Sequence, residues 1–81
     1  MKIKYFAWIK DITKNEEEII NQIQIKNLDE LKLFIIEKYP DLKKYMEKET
    51  LRFAVNQEYA IENISLTIND EIAIFPPVSG G

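Results

Sequence analysis

The only two glycines of this chain, Gly80 and Gly81, are its last two residues. Glycine adopts left-handed backbone conformations without steric cost, so tight turns usually contain it. Every turn in the body of the chain must therefore be made by other residues, chiefly Asn, Asp, Pro and Lys. The residues that lack a Cβ are kept for the C-terminus, which makes the tip of the chain its narrowest part.

Composition limits the possible functions. The chain has 81 residues, 46 % of them hydrophobic, which predicts one small domain with its own core. Cysteine and histidine are both absent, which excludes disulfides and thiolate metal sites and removes the commonest general base and metal ligand. The net charge of −3 argues against a nucleic-acid partner. No apolar run approaches the roughly 20 residues that span a bilayer, and no signal peptide is evident. We therefore expect a cytoplasmic protein that does not bind membranes.

The first residues of the chain predict two strands. Residues 2–8 alternate in polarity as a strand does, so that Phe6 and Trp8 face away from the core. The polar residues 10–17 suit a hairpin turn. The isoleucine-rich residues 17–25 fit a strand or a helix, and a strand is favoured because the first strand needs a partner nearby. The core-facing set of the first strand is Ile3, Tyr5, Ala7 and Ile9.

The main helix is predicted after Asn27. This residue suits the N-cap position, and Glu30 three residues later completes a pattern like a capping box. Pro40 ends the helix, because proline disfavours the helical conformation of the residue before it. A short helical turn is expected at residues 43–49. The apolar side of the main helix consists of Leu28, Leu31, Phe34 and Ile35.

The second half of the chain returns to strand periodicity. Residues 51–55 alternate, and Asn56 and Gln57 suit a hairpin turn before a short return strand through Tyr59 and Ile61. The last strand runs from Glu71 to Phe75 and is ended by two prolines. Its inward residues are Ile72 and Ile74, and the connection before it is expected to reach the core through Ile64, Leu66 and Ile68.

The resulting order, β-β-α-β-β-β, predicts an α+β fold. Strands at both ends with one main helix between them give a mixed sheet with the helix packed across one face. This is the layout of the β-grasp, or ubiquitin-like, fold. We expect residues 1–75 to form the β-grasp domain and residues 76–81 to form a flexible, protruding C-terminal tail that ends in Gly-Gly.

The tail has the composition of a segment that enters another protein. The last ten residues, IAIFPPVSGG, carry no charged side chain, and Pro76 and Pro77 stiffen them towards polyproline II. Six residues beyond Phe75 can project up to roughly 20 Å. A narrow, neutral end can thread a tunnel in a partner and present its terminal carboxylate. The alternative is a frayed end or a cloning remnant.

Three segments carry a resemblance to a known family: NDEIAIFPPVSGG at the C-terminus, FAVNQEYA at 53–60 and IKYFAWIKD near the start. Together they resemble the small subunit of molybdopterin synthase, a ubiquitin-like sulfur carrier. The resemblance covers the whole chain and is weakest at residues 10–26. The ending FPPVSGG is its most specific part.

The resemblance implies that Gly81 is the reactive residue and that Gly80 gives clearance in a partner's channel. In this family an E1-like adenylyltransferase, using ATP and magnesium, activates the terminal carboxylate. A sulfur donor such as a cysteine desulfurase or a rhodanese-like protein then converts it to a thiocarboxylate. The carrier donates this sulfur to cyclic pyranopterin monophosphate on the large subunit, usually within a heterotetramer. The chain itself is then a cosubstrate that binds no metal or cofactor, and the catalytic groups belong to its partners.

Strand parity predicts the docking surface. Phe6 and Phe75 face away from the core on strands that a β-grasp sheet places side by side, and Tyr59 and Trp8 are expected on the same face. Exposed aromatic residues beside the root of the tail are typical of a partner-binding patch. The alternative is that loops cover these rings. The remaining candidate contact residues lie in the tail and are Pro76, Pro77, Val78 and Ser79.

Other functions remain open for the same pattern. The acceptor of the sulfur can differ, as in tRNA thiolation or thiazole synthesis, or the terminus can be joined to lysine as a protein modifier. A plain β-grasp interaction module with an inert tail is the alternative from another class. The acidic run Glu16–Glu18 is interpreted as a solvated turn, because no further ligands accompany it.

Overall fold

The computed structural model describes residues 1–77, so Val78, Ser79, Gly80 and Gly81 lie outside the described residues. One five-stranded sheet has the order β2-β1-β5-β3-β4. β1 and β5 pair in parallel, and the other neighbours are antiparallel. This mixed sheet confirms the β-grasp prediction. The strands are β1 (Lys2–Tyr5), β2 (Glu17–Ile19), β3 (Arg52–Val55), β4 (Glu58–Tyr59) and β5 (Glu71–Phe75), and the helices are α1 (Ile9–Thr13), α2 (Leu28–Lys38) and α3 (Lys43–Glu47).

The main helix, α2, begins and ends as its sequence predicts. Asn27 Oδ1 accepts a hydrogen bond of 2.9 Å from the Glu30 N–H, which satisfies a donor that the first turn leaves free. The Glu30 carboxylate reaches back to the Lys26 N–H at 2.7 Å. Pro40 opens a short 3-10 turn, Pro40–Leu42, after the helix has ended. The helix buries Leu28, Leu31 and Ile35 against the sheet, whereas Phe34 is only partly buried.

The first strand is shorter than its alternation predicts. It ends at Tyr5, Ala7 is exposed with a φ of 54°, and α1 begins at Ile9. The predicted inward position of Ala7 is therefore wrong, and so is the hairpin turn expected at residues 10–17. Ile9 is fully buried from a helical position, because Ile9 and Thr13 lie one turn apart on the same side of α1.

Two predicted apolar segments also differ from expectation. β2 ends at Ile19, so that Ile20 and Ile25 reach the core from the following loop. β4 ends at Tyr59, so the predicted extension of this strand through Ile61 is wrong, and Ile61 is 94 % exposed. In the connection to β5, Leu66 is buried and Ile64 is partly buried, but Ile68 is exposed. The end of a short strand is set by where its backbone hydrogen-bonds to a neighbouring strand. The periodicity of its side chains does not indicate that position.

Turns are made without glycine in the described part of the chain. The hairpin between β3 and β4 turns at Asn56 and Gln57, with φ values of 51° and 70°, the left-handed pair that a two-residue hairpin needs. Lys14 and Glu49 adopt the same region at the ends of α1 and α3. Within residues 1–77, no helix has the length and apolar content that crossing a bilayer requires.

The carboxylate of Glu18 belongs to a half-buried network, contrary to the solvated turn predicted for Glu16–Glu18. The hydroxyls of Tyr5 and Tyr39 both donate to Glu18 Oε1, the second at 2.8 Å, and Lys38 Nζ donates to Oε2 at 2.7 Å. The Glu18 side chain is 14 % exposed. These bonds tie β2 to β1 and to the end of α2. Burial opposes ionisation of Glu18, but the hydrogen bonds from Lys38 and the two tyrosines outweigh it and lower its pKa.

Acid should therefore destabilise the fold partly through Glu18. A carboxyl whose pKa is lower in the folded state stabilises that state fully above its ordinary pKa of 4.5, and this stabilisation is lost as the pH falls through the folded value. We expect Glu18→Gln to lower the free energy of unfolding at pH 7 by about 1–3 kcal/mol. It should also flatten the decline in stability below the ordinary pKa.

Denaturant titrations across the acid range measure both effects. Glu17→Gln is the matched control, because Glu17 is the preceding residue and forms a solvent-exposed pair with Lys2 at 3.5 Å. Equal losses for the two variants, or an unchanged acid slope for Glu18→Gln, would contradict this account.

Candidate partner-docking surface

The side of the sheet away from α2, the open face, is defined by strand register. β3 and β5 pair Ala54 with Ala73 and Arg52 with Phe75. β1 adds Lys4 opposite Ala73, and β4 adds Tyr59 opposite Ala54. The alternate positions of the same strands are buried beneath α2: Ile3, Tyr5, Phe53, Val55, Ile72 and Ile74. One face of the sheet thus covers the core. The other, the open face, has the small side chains of Ala54 and Ala73 at its centre.

Tyr59 and Phe75 form an aromatic pair on the open face. Their ring centroids are 5.7 Å apart with an interplanar angle of 57°. They lie on different sides of β3, and the small side chain of Ala54 between them leaves room for the contact. Tyr59 is 72 % exposed and Phe75 is half-buried. The pair therefore offers apolar area to a partner where β5 passes into Pro76 and Pro77.

Phe6 extends this surface at the end of β1. Its N–H donates to the Ile74 carbonyl at 3.1 Å, which continues the parallel pairing of β1 with β5 for one residue. Its side chain is 46 % exposed. Phe6 borders a shallow depression in the open face that is otherwise lined by Lys4, Ala54, Gln57, Glu71 and Ala73.

Trp8 lies elsewhere, contrary to the prediction from parity. β1 ends before it, and its ring packs on Tyr45 of α3 with centroids 4.6 Å apart. The alternation rule fails here because it holds only while the chain remains extended. Trp8 is still 37 % exposed, but the structure does not bring it to the aromatic pair.

Charges on the open face are largely compensated. Lys4 Nζ lies 2.8 Å from the Glu71 carboxylate, and this hydrogen bond raises the pKa of Lys4 and lowers that of Glu71. Lys2 pairs with Glu17 at 3.5 Å. Arg52, at the root of the tail, also belongs to this face, although it is not among the site residues that the sequence predicts. The signal that identifies it is its register opposite Phe75.

The described residues offer groups for binding a partner. Within residues 1–77, no three acidic side chains converge as a cation site, and the whole chain has no histidine or cysteine. The fold and the open face define a ubiquitin-like protein of the β-grasp class with exposed aromatic residues at the root of its tail. Gly80, Gly81, Val78 and Ser79 lie outside the described residues, so their predicted roles remain predictions.

Comparison with known proteins identifies the family. The ThiS family model matches residues 3–81, and the chain belongs to the ThiS family. It is 40 % identical to the molybdopterin synthase sulfur carrier subunit of Dictyostelium discoideum, over 99 % of this chain and 94 % of that protein. These matches confirm the resemblance that the terminal motif indicated.

Two solved structures share the fold. A Pyrococcus furiosus protein assigned as molybdopterin converting factor, subunit 1, superposes with a TM-score of 0.82 at 28 % identity, covering 95 % of each chain. The small archaeal modifier protein 1 of Methanosarcina acetivorans gives a TM-score of 0.78 at 27 % identity, over 99 % of this chain and 94 % of that one.

Proposed function

We propose that this chain is the sulfur carrier subunit of molybdopterin synthase. Its C-terminal glycine, Gly81, is converted to a thiocarboxylate that donates sulfur to cyclic pyranopterin monophosphate in molybdenum cofactor biosynthesis. The full-length similarity to named sulfur carrier subunits supports this function. The single structural observation that carries it is the position of the aromatic pair, because Phe75 is both part of the docking surface and the last residue before the tail.

The chemistry suits a chain that lacks histidine and cysteine. The terminal carboxylate attacks the α-phosphorus of ATP and releases pyrophosphate, which leaves an acyl-adenylate. Hydrosulfide supplied by the donor then displaces AMP at the carbonyl carbon; when a donor persulfide does so instead, a second thiol must cleave the acyl disulfide that forms. The resulting thiocarboxylate is ionised at neutral pH and needs no base from the carrier. Magnesium, the phosphate contacts and the proton transfers belong to the partners, which are the E1-like adenylyltransferase and the synthase large subunit.

The open face gives these partners a common surface to hold. A partner that binds Phe75, Tyr59 and Phe6 contacts the sheet directly beside the start of the tail. Because β5 is paired on both sides, by β1 and by β3, the root of the tail is fixed relative to that surface. A bound partner therefore meets the start of the tail at a defined position, and such positioning favours efficient transfer.

Activation can be tested without the complete pathway. With a cognate E1-like adenylyltransferase, ATP and magnesium, we expect pyrophosphate exchange that depends on this chain. Adding a sulfur donor should shift the intact mass by the replacement of one oxygen by sulfur. Reactions without ATP are the control. Absence of exchange with every cognate activating enzyme would favour the inert interaction module.

A protein-modifier role is the second candidate, and the likeness to small archaeal modifier protein 1 favours it. Both functions begin with the same adenylate and differ in the nucleophile that follows, which is sulfur in one and a lysine amine in the other. Intact mass of the protein from its native host separates them. A thiocarboxylate on the free carrier supports sulfur transfer, and covalent conjugates to larger proteins support modification.

A further inference from the structure

Arg52 is the only arginine of the chain, and it lies at the start of β3 directly opposite Phe75. Residues that face each other across an antiparallel pair project to the same side of the sheet. Arg52 therefore occupies an open-face position, opposite Phe75 and next to the root of the tail. Its side chain is exposed.

The guanidinium of Arg52 bonds to a backbone carbonyl. Arg52 Nη1 donates to the Glu49 carbonyl oxygen at 2.9 Å, and Glu49 is one of the left-handed residues, with a φ of 55°. A guanidinium has five N–H donors in a fixed fork, so this one bond leaves donors for a further acceptor.

Arg52 is also the cation of the open face that has no acidic partner within residues 1–77. Lys2 and Lys4 of β1 are paired with Glu17 and Glu71, whereas no carboxylate in the described part of the chain forms an ion pair with Arg52. In a chain with a net charge of −3, this gives an unpaired positive residue at the strand position opposite Phe75. A surface of this kind complements an apolar pocket that has a carboxylate at its rim.

We propose that Arg52 binds a carboxylate of the molybdopterin synthase large subunit, in a pocket that also receives Phe75 and Tyr59. This inference rests on the proposed function and adds the chemistry of the partner. Arginine and tyrosine are enriched among residues that dominate interface energies, and a guanidinium binds a carboxylate through two parallel hydrogen bonds. Since Arg52 faces Phe75, the contact sets the orientation of the carrier at the point where the tail leaves the sheet.

Calorimetric titration of the full chain with the purified large subunit of the same species tests the proposal. We expect Arg52→Glu to weaken binding by about 10- to 100-fold and Arg52→Gln by less, because only the first places a like charge against the partner's carboxylate. Arg52→Lys should bind more weakly than the wild type, since it loses the fork, but more tightly than Arg52→Gln, since it keeps the charge. When the salt concentration is raised from about 0.1 M to about 1 M, the wild-type affinity should fall, because the Debye length shrinks from about 10 Å to about 3 Å. The affinity of Arg52→Gln should change less.

Lys26→Glu is the matched control. This substitution makes the same change of charge at an exposed residue that precedes α2. Lys26 forms no ion pair within residues 1–77, and we expect the substitution to leave the affinity unchanged. If Arg52→Glu is unfolded by circular dichroism, the salt dependence of Arg52→Gln and Arg52→Lys decides the question. If all three variants bind with wild-type affinity while Phe75→Ala still weakens binding, the role of Arg52 is overturned and the proposed function is not. Failure of the wild-type chain to bind the large subunit would overturn the proposed function instead.

Discussion

Deletion of Gly81 is expected to abolish sulfur transfer while the body of the protein stays folded. In the proposed function the terminal carboxylate becomes the adenylate and then the thiocarboxylate, and the chain offers no cysteine to replace it. Among the described residues, 1–77, the buried hydrophobic core is drawn from Met1 to Ile74. We therefore expect the deletion to leave the melting of this core unchanged. Pyrophosphate exchange, thiocarboxylate mass and synthase turnover should all fall to background, with an unchanged melting temperature.

A second variant separates the need for a terminal carboxylate at residue 81 from the need for a narrow tip that fits a partner's channel. Gly81→Ala keeps a terminal carboxylate but adds a Cβ at the tip, so we expect a partial loss of turnover where the deletion gives a complete one. Both variants should bind the large subunit through the open face with an affinity close to that of the wild type. Full turnover in the Gly81 deletion would be incompatible with a carrier that works through its terminal glycine.

Phe75→Ala is expected to weaken binding to the large subunit by at least tenfold. Truncation of a large side chain at the centre of an interface typically costs about 2–4 kcal/mol, or roughly 30- to 1000-fold in affinity. Phe75 packs on Tyr59 at 5.7 Å and faces away from the core, so the fold should be retained. Calorimetry gives the affinity, and circular dichroism verifies the fold.

Leu33→Ala is the control for this truncation. Leu33 is also apolar and is 63 % exposed, but it lies on α2, on the other side of the sheet from the aromatic pair. We expect its affinity to match that of the wild type. The double variant with Tyr59→Ala should lose less than the sum of the two single losses, because the rings contact each other. Unchanged affinity in a natively folded Phe75→Ala would place the docking surface elsewhere.

The parts of the fold that could be predicted from sequence have strong local signals. α2 has an N-cap, an apolar side and a proline stop, and β5 alternates and ends at two prolines. The parts that were missed depend on contacts between distant residues. Glu18 looks like part of a solvated acidic run, and its partners Tyr5 and Tyr39 are 13 and 21 residues away. α1 has only five residues, so its periodicity is too short to be distinguished from a turn.

The candidate site shows the same division. Parity placed Phe75 and Tyr59 on the open face, because β3, β4 and β5 remain extended where these residues occur. The same rule misplaced Trp8, because the left-handed conformation of Ala7 ends the extended segment without a glycine to indicate it. The sequence alone does not single out Arg52, since an exposed arginine is common. Its meaning depends on the residue opposite, which only strand register supplies.

The parallel pairing of β1 with β5 has a consequence for how the protein is made. The strand at the middle of the sheet is β5, which lies 66 or more residues after its partner β1 in the sequence. During synthesis β1 and β3 must wait without their shared neighbour until the ribosome has released Phe75, and pairing over so long a loop is slow. A chain interrupted before β5 therefore lacks both a stable sheet and the root of the tail. If such unfolded products are degraded, the carriers that remain are those whose translation reached the tail, which in the proposed function bears the sulfur.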